Sequence, residues 1–259
     1  MSIINRNIKF VYLKSHKTAS TSSELHLILN SSIGDDIYYT SKEILKYGIP
    51  RARNNYTLFT RQSRLWFSWQ QELKWMHNFR GMSYFFPALL QHCSAKRVRL
   101  LFGNSFFESS FKVTNVRNPW DALVSFYHWE KSGQQGRYSK RNIAWNDFLF
   151  DALEVKKGSN LSKAQEFLFY PYLFESGQLV LNGFIYFEDL GASFDLLSRK
   201  LGINIDTFDN KQSHFKKSKN RKDYRFYFTD VQAELVRNHF NEFLKILPYT
   251  FDSVGTLPK

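Results

Sequence analysis

Short apolar runs alternate along this chain with longer stretches whose apolar residues recur at helical spacing. Residues 8–13, ending in Phe10-Val11-Tyr12-Leu13, read as a short buried strand, and residues 111–116 read as a second. Residues 21–33 predict a helix, with Leu25, Ile28, Leu29 and Ser32 on one face and Thr21-x-x-Glu24 at capping-box spacing. Pro119 suits the first turn of another helix, where its missing N–H costs nothing, and that helix runs through Leu123, Val124 and Tyr127. Residues 160–175 predict helix. Leu179-Val180-Leu181 and Phe184-Ile185-Tyr186-Phe187 are strand-like. A helix carrying Phe194, Leu197 and Leu201 stops at Gly202, and a last one starts near Thr229 or Asp230 and ends before Pro248. Strands alternating with helices predict an α/β fold: a central, mainly parallel sheet flanked by helices. No repeat and no flexible linker interrupts it, so residues 1–259 are expected to form a single domain.

The 259 residues suffice for a sizeable core, and 18% aromatic content favours a packed protein over a disordered one. The formal charge of +13, from 36 Lys and Arg against 23 Asp and Glu, attracts polyanions without choosing among them. One cysteine, Cys93, excludes an internal disulfide and fits a reducing compartment. Asn5, Arg6 and Lys9 break up any signal-like apolar segment, and no stretch approaches 18 uninterrupted apolar residues. A cytoplasmic protein is the expectation.

Two junctions carry chemistry. After Leu13, Lys17 supplies a charge and Thr18, Ser20, Thr21 and Ser22 supply hydroxyls at a helix start, where free N–H groups and the helix dipole favour an anion. No glycine stands between Arg6 and Ile33, so this is not the Walker pattern of ordinary ATPases. After Val116, Arg117 ends a strand where open α/β sheets bind ligands, and its planar fork suits a phosphate. Ser125 follows on the second turn of the next helix. Two such junctions suggest a ligand with two separate phosphate groups.

In this order the motifs resemble the PAPS-dependent sulfotransferases (PAPS is 3′-phosphoadenosine 5′-phosphosulfate). The string Leu13-Lys14-Ser15-His16-Lys17-Thr18-Ala19-Ser20-Thr21-Ser22 is similar to the family's 5′-phosphosulfate loop, and closest to that of the carbohydrate sulfotransferases. Val116-Arg117-Asn118-Pro119-Trp120-Asp121, through Ser125 and Tyr127, resembles the 3′-phosphate motif. Ile185-Tyr186-Phe187-Glu188-Asp189-Leu190 resembles the family's strand ending in Glu-Asp-Leu. The stretch from Lys217-Ser218-Lys219-Asn220 through Tyr224, Tyr227, Val236 and Tyr249-Thr250-Phe251 resembles the C-terminal segment of bacterial members. Ala122 and Ser20 depart from the pattern, standing where many members have arginine and glycine.

The resemblance implies a P-loop-like strand–loop–helix and metal-free transfer of a sulfuryl group from PAPS, with a carbohydrate hydroxyl as acceptor and PAP as product. It assigns the phosphosulfate to Lys17, Thr18, Ala19, Ser20, Thr21 and Ser22, and the 3′-phosphate to Arg117 and Ser125. His92 is implied as the base, by analogy with uronosyl sulfotransferases, with His16 and Glu24 as alternatives. His16 adjoins Lys17, and on an extended segment the two would face opposite ways. The basic run 211–225 is implied as a cover over the cofactor, with Lys217, Ser218 and Lys219 near it. Acceptor choice is assigned to residues 35–85. Two rivals remain: a basic nucleic-acid-binding protein, and a nucleoside-phosphate kinase with a modified phosphate loop. The resemblance implies no nucleic-acid partner, and leaves the oligomeric state open.

Overall fold

The computed structural model describes residues 2–29, 37–38, 92–132, 143–155, 158–208, 222–247 and 249–252. The chain opens with a hairpin, β1 (Ile3–Asn5) and β2 (Phe10–Leu13), registered with Ile3 opposite Tyr12 and Asn5 opposite Phe10. The Asn5 side chain turns the hairpin by accepting from the N–H groups of Asn7 (3.0 Å) and Ile8 (3.1 Å). Helix α1 (Ser20–Leu29) follows, then the two-residue strand β3 (Ile37–Tyr38). Helices α2 (Ala95–Phe102) and α3 (Asn104–Ser109) lead into β4 (Phe111–Val116), and α4 (Pro119–Lys131) leaves it.

Beyond these lie α5 (Trp145–Leu153), α6 (Lys163–Leu168) and α7 (Tyr170–Leu173). A small hairpin joins β5 (Phe174–Glu175) to β6 (Gln178–Leu179). Strand β7 (Gly183–Tyr186) then runs through a 3₁₀ turn into α8 (Leu190–Leu201). Gly202 closes α8 at φ 63°, a left-handed position that glycine takes without a Cβ penalty.

The main sheet has five strands in the order β3-β1-β2-β4-β7. It is mixed rather than mainly parallel: β2, β4 and β7 run parallel, while β1 pairs antiparallel with both β2 and β3. The sequence reading missed β1 because Ile3 and Ile4 make too short an apolar run to signal a strand. All four residues of β2 are buried, as a strand covered on both faces requires. The core joins these strands to Leu25, Val98, Trp120, Leu123, Phe126, Phe148, Leu168, Phe194 and Phe243.

The expected C-terminal helix is two helices, α9 (Asp230–His239) and α10 (Asn241–Ile246), broken at Phe240 with φ −100° and ψ 19°. The break sets Phe240 and Phe243 both against Phe169, at 5.9 and 4.4 Å between ring centroids. Among the described residues no helix is long and apolar enough to cross a membrane.

Candidate functional site

Because β2, β4 and β7 are parallel, their C-terminal ends share one edge of the sheet. Leu13 is opposite Thr114, and Val116 is opposite Tyr186. The three segments that follow, residues 14–19, 117–118 and 187–189, meet there.

The first of these is braced from within. The Ser15 hydroxyl donates to the Asn115 carbonyl (2.6 Å), so the Thr18 hydroxyl must donate to Ser15 Oγ at 2.8 Å. The Ser20 hydroxyl donates to the Ser15 carbonyl at 2.6 Å. Thr18 and Ser20 thus turn their side chains into the protein, and what they offer a ligand is backbone N–H. Lys17 and Ala19 sit at φ 60° and 56°, left-handed positions that non-glycine residues rarely take. Such strain gathers at functional sites, and left-handed residues in a turn aim successive N–H groups to one side. Glycine is the residue that ordinarily takes such positions.

Beneath the loop lies a buried polar network. Tyr12 donates to Asn115 Oδ1 (2.6 Å), and Asn115 Nδ2 donates to Ser23 Oγ (2.7 Å). Lys14 pairs with Glu24 at 2.6 Å. The capping-box role for Glu24 is therefore a correction: its carboxylate reaches back to Lys14, both groups being buried.

His92 comes to this loop from 78 residues away, its Nδ1 lying 3.0 Å from the Lys14 carbonyl. A carbonyl only accepts, so Nδ1 carries the proton, and in the neutral ring the basic lone pair lies on Nε2. His16 stacks on His92 with centroids 3.4 Å apart, and Phe167 covers its other face at 4.1 Å. Burial, reinforced by Lys14 and Lys17, drives the His16 pKa down to about 3, so it is neutral near pH 7.

The expectation that His16 and Lys17 face opposite ways is also corrected. The loop is not extended at Lys17, and both side chains reach one aromatic layer. Lys17 Nζ stands 5.7 Å over Trp129, whose ring stacks against Phe167 at 5.3 Å.

The second junction is tighter. Asn118 caps α4 by accepting from the N–H groups of Trp120 (3.1 Å) and Asp121 (3.3 Å). Its own N–H donates to Glu188 Oε1 at 2.8 Å, while Tyr249 donates to Glu188 Oε2 at 2.8 Å. Asn118 Nδ2 donates to the Thr250 carbonyl at 3.0 Å, and the Tyr224 hydroxyl donates to the Phe251 carbonyl. Burial raises the Glu188 pKa, which the two donors and Arg117 oppose.

Arg117 is 8% exposed. Its Nε donates to Asp121 at 2.6 Å, and its plane lies 3.8 Å from the Phe187 ring. Its Nη1 donates to the Lys17 carbonyl at 2.9 Å, across a separation of 100 residues. Burial lowers its pKa to about 10, so it stays charged at neutral pH.

One face of α4 meets the side chains of Arg117 and Lys17, which were expected to bind phosphate. Asp121, Ser125 and Trp129 follow each other at four-residue spacing. Asp121 holds Arg117, Trp129 lies under Lys17, and half-buried Ser125 sits between them. Thr21 is half-buried and Ser22 buried in the first turns of α1. Lys217, Ser218 and Lys219 lie outside the described residues, as do residues 35–85 apart from β3. Sequence reasoning gave no role of their own to Lys14, Glu188, Phe167 and Asn115. Their partners are 10, 70 and 103 residues distant for Lys14, Glu188 and Asn115, and no local pattern signals such pairs.

Compared with models of protein families, with curated proteins and with solved structures, the chain shows no match.

Proposed function

We propose that the protein is a PAPS-dependent sulfotransferase acting on an acceptor hydroxyl, with a carbohydrate as the acceptor class. The observation that carries this reading is the meeting of the two junctions: Arg117 donates to the Lys17 carbonyl at 2.9 Å, and Ser125 lies between their partners on α4. A ligand with phosphates at two positions, as PAPS has, suits two cationic junctions joined in this way.

PAPS would supply the activated sulfuryl group and leave as PAP. The strained turn at Lys17 and Ala19, opening the ten-residue helix α1, supports binding of the 5′ end through backbone N–H groups. Lys17 would meet the charge that develops on the leaving phosphate oxygen, the point at which a fixed cation contributes most. Arg117 has N–H groups beyond those on Asp121 and Lys17, and with Ser125 it would hold the 3′-phosphate. The acceptor oxygen bonds to sulfur as the bond from sulfur to the phosphate oxygen breaks. The acceptor's proton passes to His92 Nε2, the nitrogen that the Lys14 carbonyl leaves basic. His16, held near a pKa of about 3, is too weak a base near pH 7, and Glu24 is paired with Lys14.

A thermal-shift panel of PAP, PAPS, ADP and ATP with magnesium tests the reading. At about 100 times its dissociation constant a ligand adds roughly 2.7 kcal/mol. PAP and PAPS should raise the melting temperature well above ADP. A shift that requires ATP and magnesium instead would favour a kinase.

A further inference from the structure

The groups assigned to the reaction are joined by a continuous stack of rings. His92 lies on His16 at 3.4 Å and 13° between planes, and His16 lies on Phe167 at 4.1 Å and 16°. Phe167 in turn packs on Phe126 (4.3 Å) and Trp129 (5.3 Å), and Trp129 carries Lys17. His92 itself stands at φ 51°, so its backbone is held in an uncommon conformation beside this stack.

The hydrogen bond from His92 Nδ1 to the Lys14 carbonyl fixes which nitrogen is basic. A flat neighbour at van der Waals distance, as His16 is, resists tilting of the ring plane. We propose that His16 is a positioning residue, whose planar ring, clamped between His92 and Phe167, fixes the plane of His92 and so the direction of its Nε2. The inference rests on the sulfotransferase reading and deepens it. The role needs a flat ring that adds no charge beside the base. Burial keeps His16 neutral and so fits it for that role. Histidine at position 16 thus serves through its shape rather than its proton.

The test compares His16→Ala with His16→Phe, which restores a flat ring without ring nitrogens. Two quantities are read: PAP affinity by calorimetry, and release of PAP from PAPS with water as the acceptor. In the second assay water's oxygen bonds to sulfur, the sulfur–phosphate oxygen bond breaks, and sulfate and PAP are the products. His16→Ala should leave PAP affinity within about twofold and cut PAP release by roughly tenfold or more, as a displaced reacting group does. His16→Phe should recover most of the rate.

An unchanged rate in His16→Ala overturns the proposal, and so does a His16→Phe protein that folds and binds PAP yet is as slow as His16→Ala. A wild-type protein that neither binds PAP nor consumes PAPS overturns the transferase reading instead. Failure of the present inference shows differently, as PAP binding and PAPS consumption that His16→Ala leaves untouched.

Discussion

The two strand-to-helix junctions are built in opposite ways. Between β2 and α1 the chain takes six residues, two of them left-handed without being glycine, with Lys17 half-buried. Between β4 and α4 it takes two residues, with Arg117 and Asn118 8% and 2% exposed. The first junction stores strain and presents backbone N–H groups. The second ties β4 to Glu188, Thr250 and α4. Lys17 and Arg117, alike as cations at strand-to-helix junctions, therefore differ in what the fold asks of them. Arg117 is bound into the frame of the fold, and on the proposed function Lys17 is the one that serves the chemistry.

That contrast predicts unequal costs. Arg117→Ala removes the partner of Asp121 in a buried ion pair and a donor to the Lys17 carbonyl. It should destabilise the ligand-free protein by about 3–5 kcal/mol. Lys17→Ala loses a contact with Trp129 and should cost under about 1 kcal/mol. Urea denaturation of both variants checks this, and equal losses would erase the distinction between frame and chemistry.

A smaller effect follows from pH. The His16 pKa is depressed to about 3 in the folded protein, so the unfolded chain binds the extra proton as pH falls. The stability His16 contributes is complete above its ordinary pKa of about 6.5 and is lost as pH falls toward 3. Between pH ~6.5 and pH ~5 the loss should reach about 2 kcal/mol. Measured against His16→Phe, the wild type should show this extra acid sensitivity. Identical pH profiles would remove the first junction's buried imidazole from the account.

How much of this was legible in sequence divides along the same line. The strands β2, β4 and β7 announce themselves as apolar runs, and Asn118-Pro119 and Gly202 mark helix ends by their own backbone chemistry. The first junction's shape is not legible, because left-handed turns are normally signalled by glycine and Lys17 and Ala19 give no such sign. The mixed sheet was missed with β1, whose apolar run ends at Asn5. The His92–His16 stack and the Lys14–Glu24 pair depend on tertiary placement, which spacing along the chain does not reveal.

A smaller change still sharpens the reading of the first junction. Ala19→Gly at φ 56° relieves left-handed strain while adding freedom to the unfolded chain. The two nearly offset, so stability should hold or rise by up to about 1 kcal/mol, in contrast to the loss of about 0.5–1 kcal/mol usual for this change inside a helix. A clear loss in denaturant melts would mean that the junction is not strained.

The most direct test of the central claim is the ratio of PAP to ADP affinity, measured by calorimetry in the wild type and in Ser125→Ala. Both ligands carry phosphate on the 5′ side, and only PAP carries a 3′-phosphate. If the two junctions hold the two phosphate positions of one ligand, PAP binds the wild type about tenfold more tightly or better. Ser125→Ala should then narrow the ratio by weakening PAP alone. Equal affinities for PAP and ADP in the wild type would contradict the account.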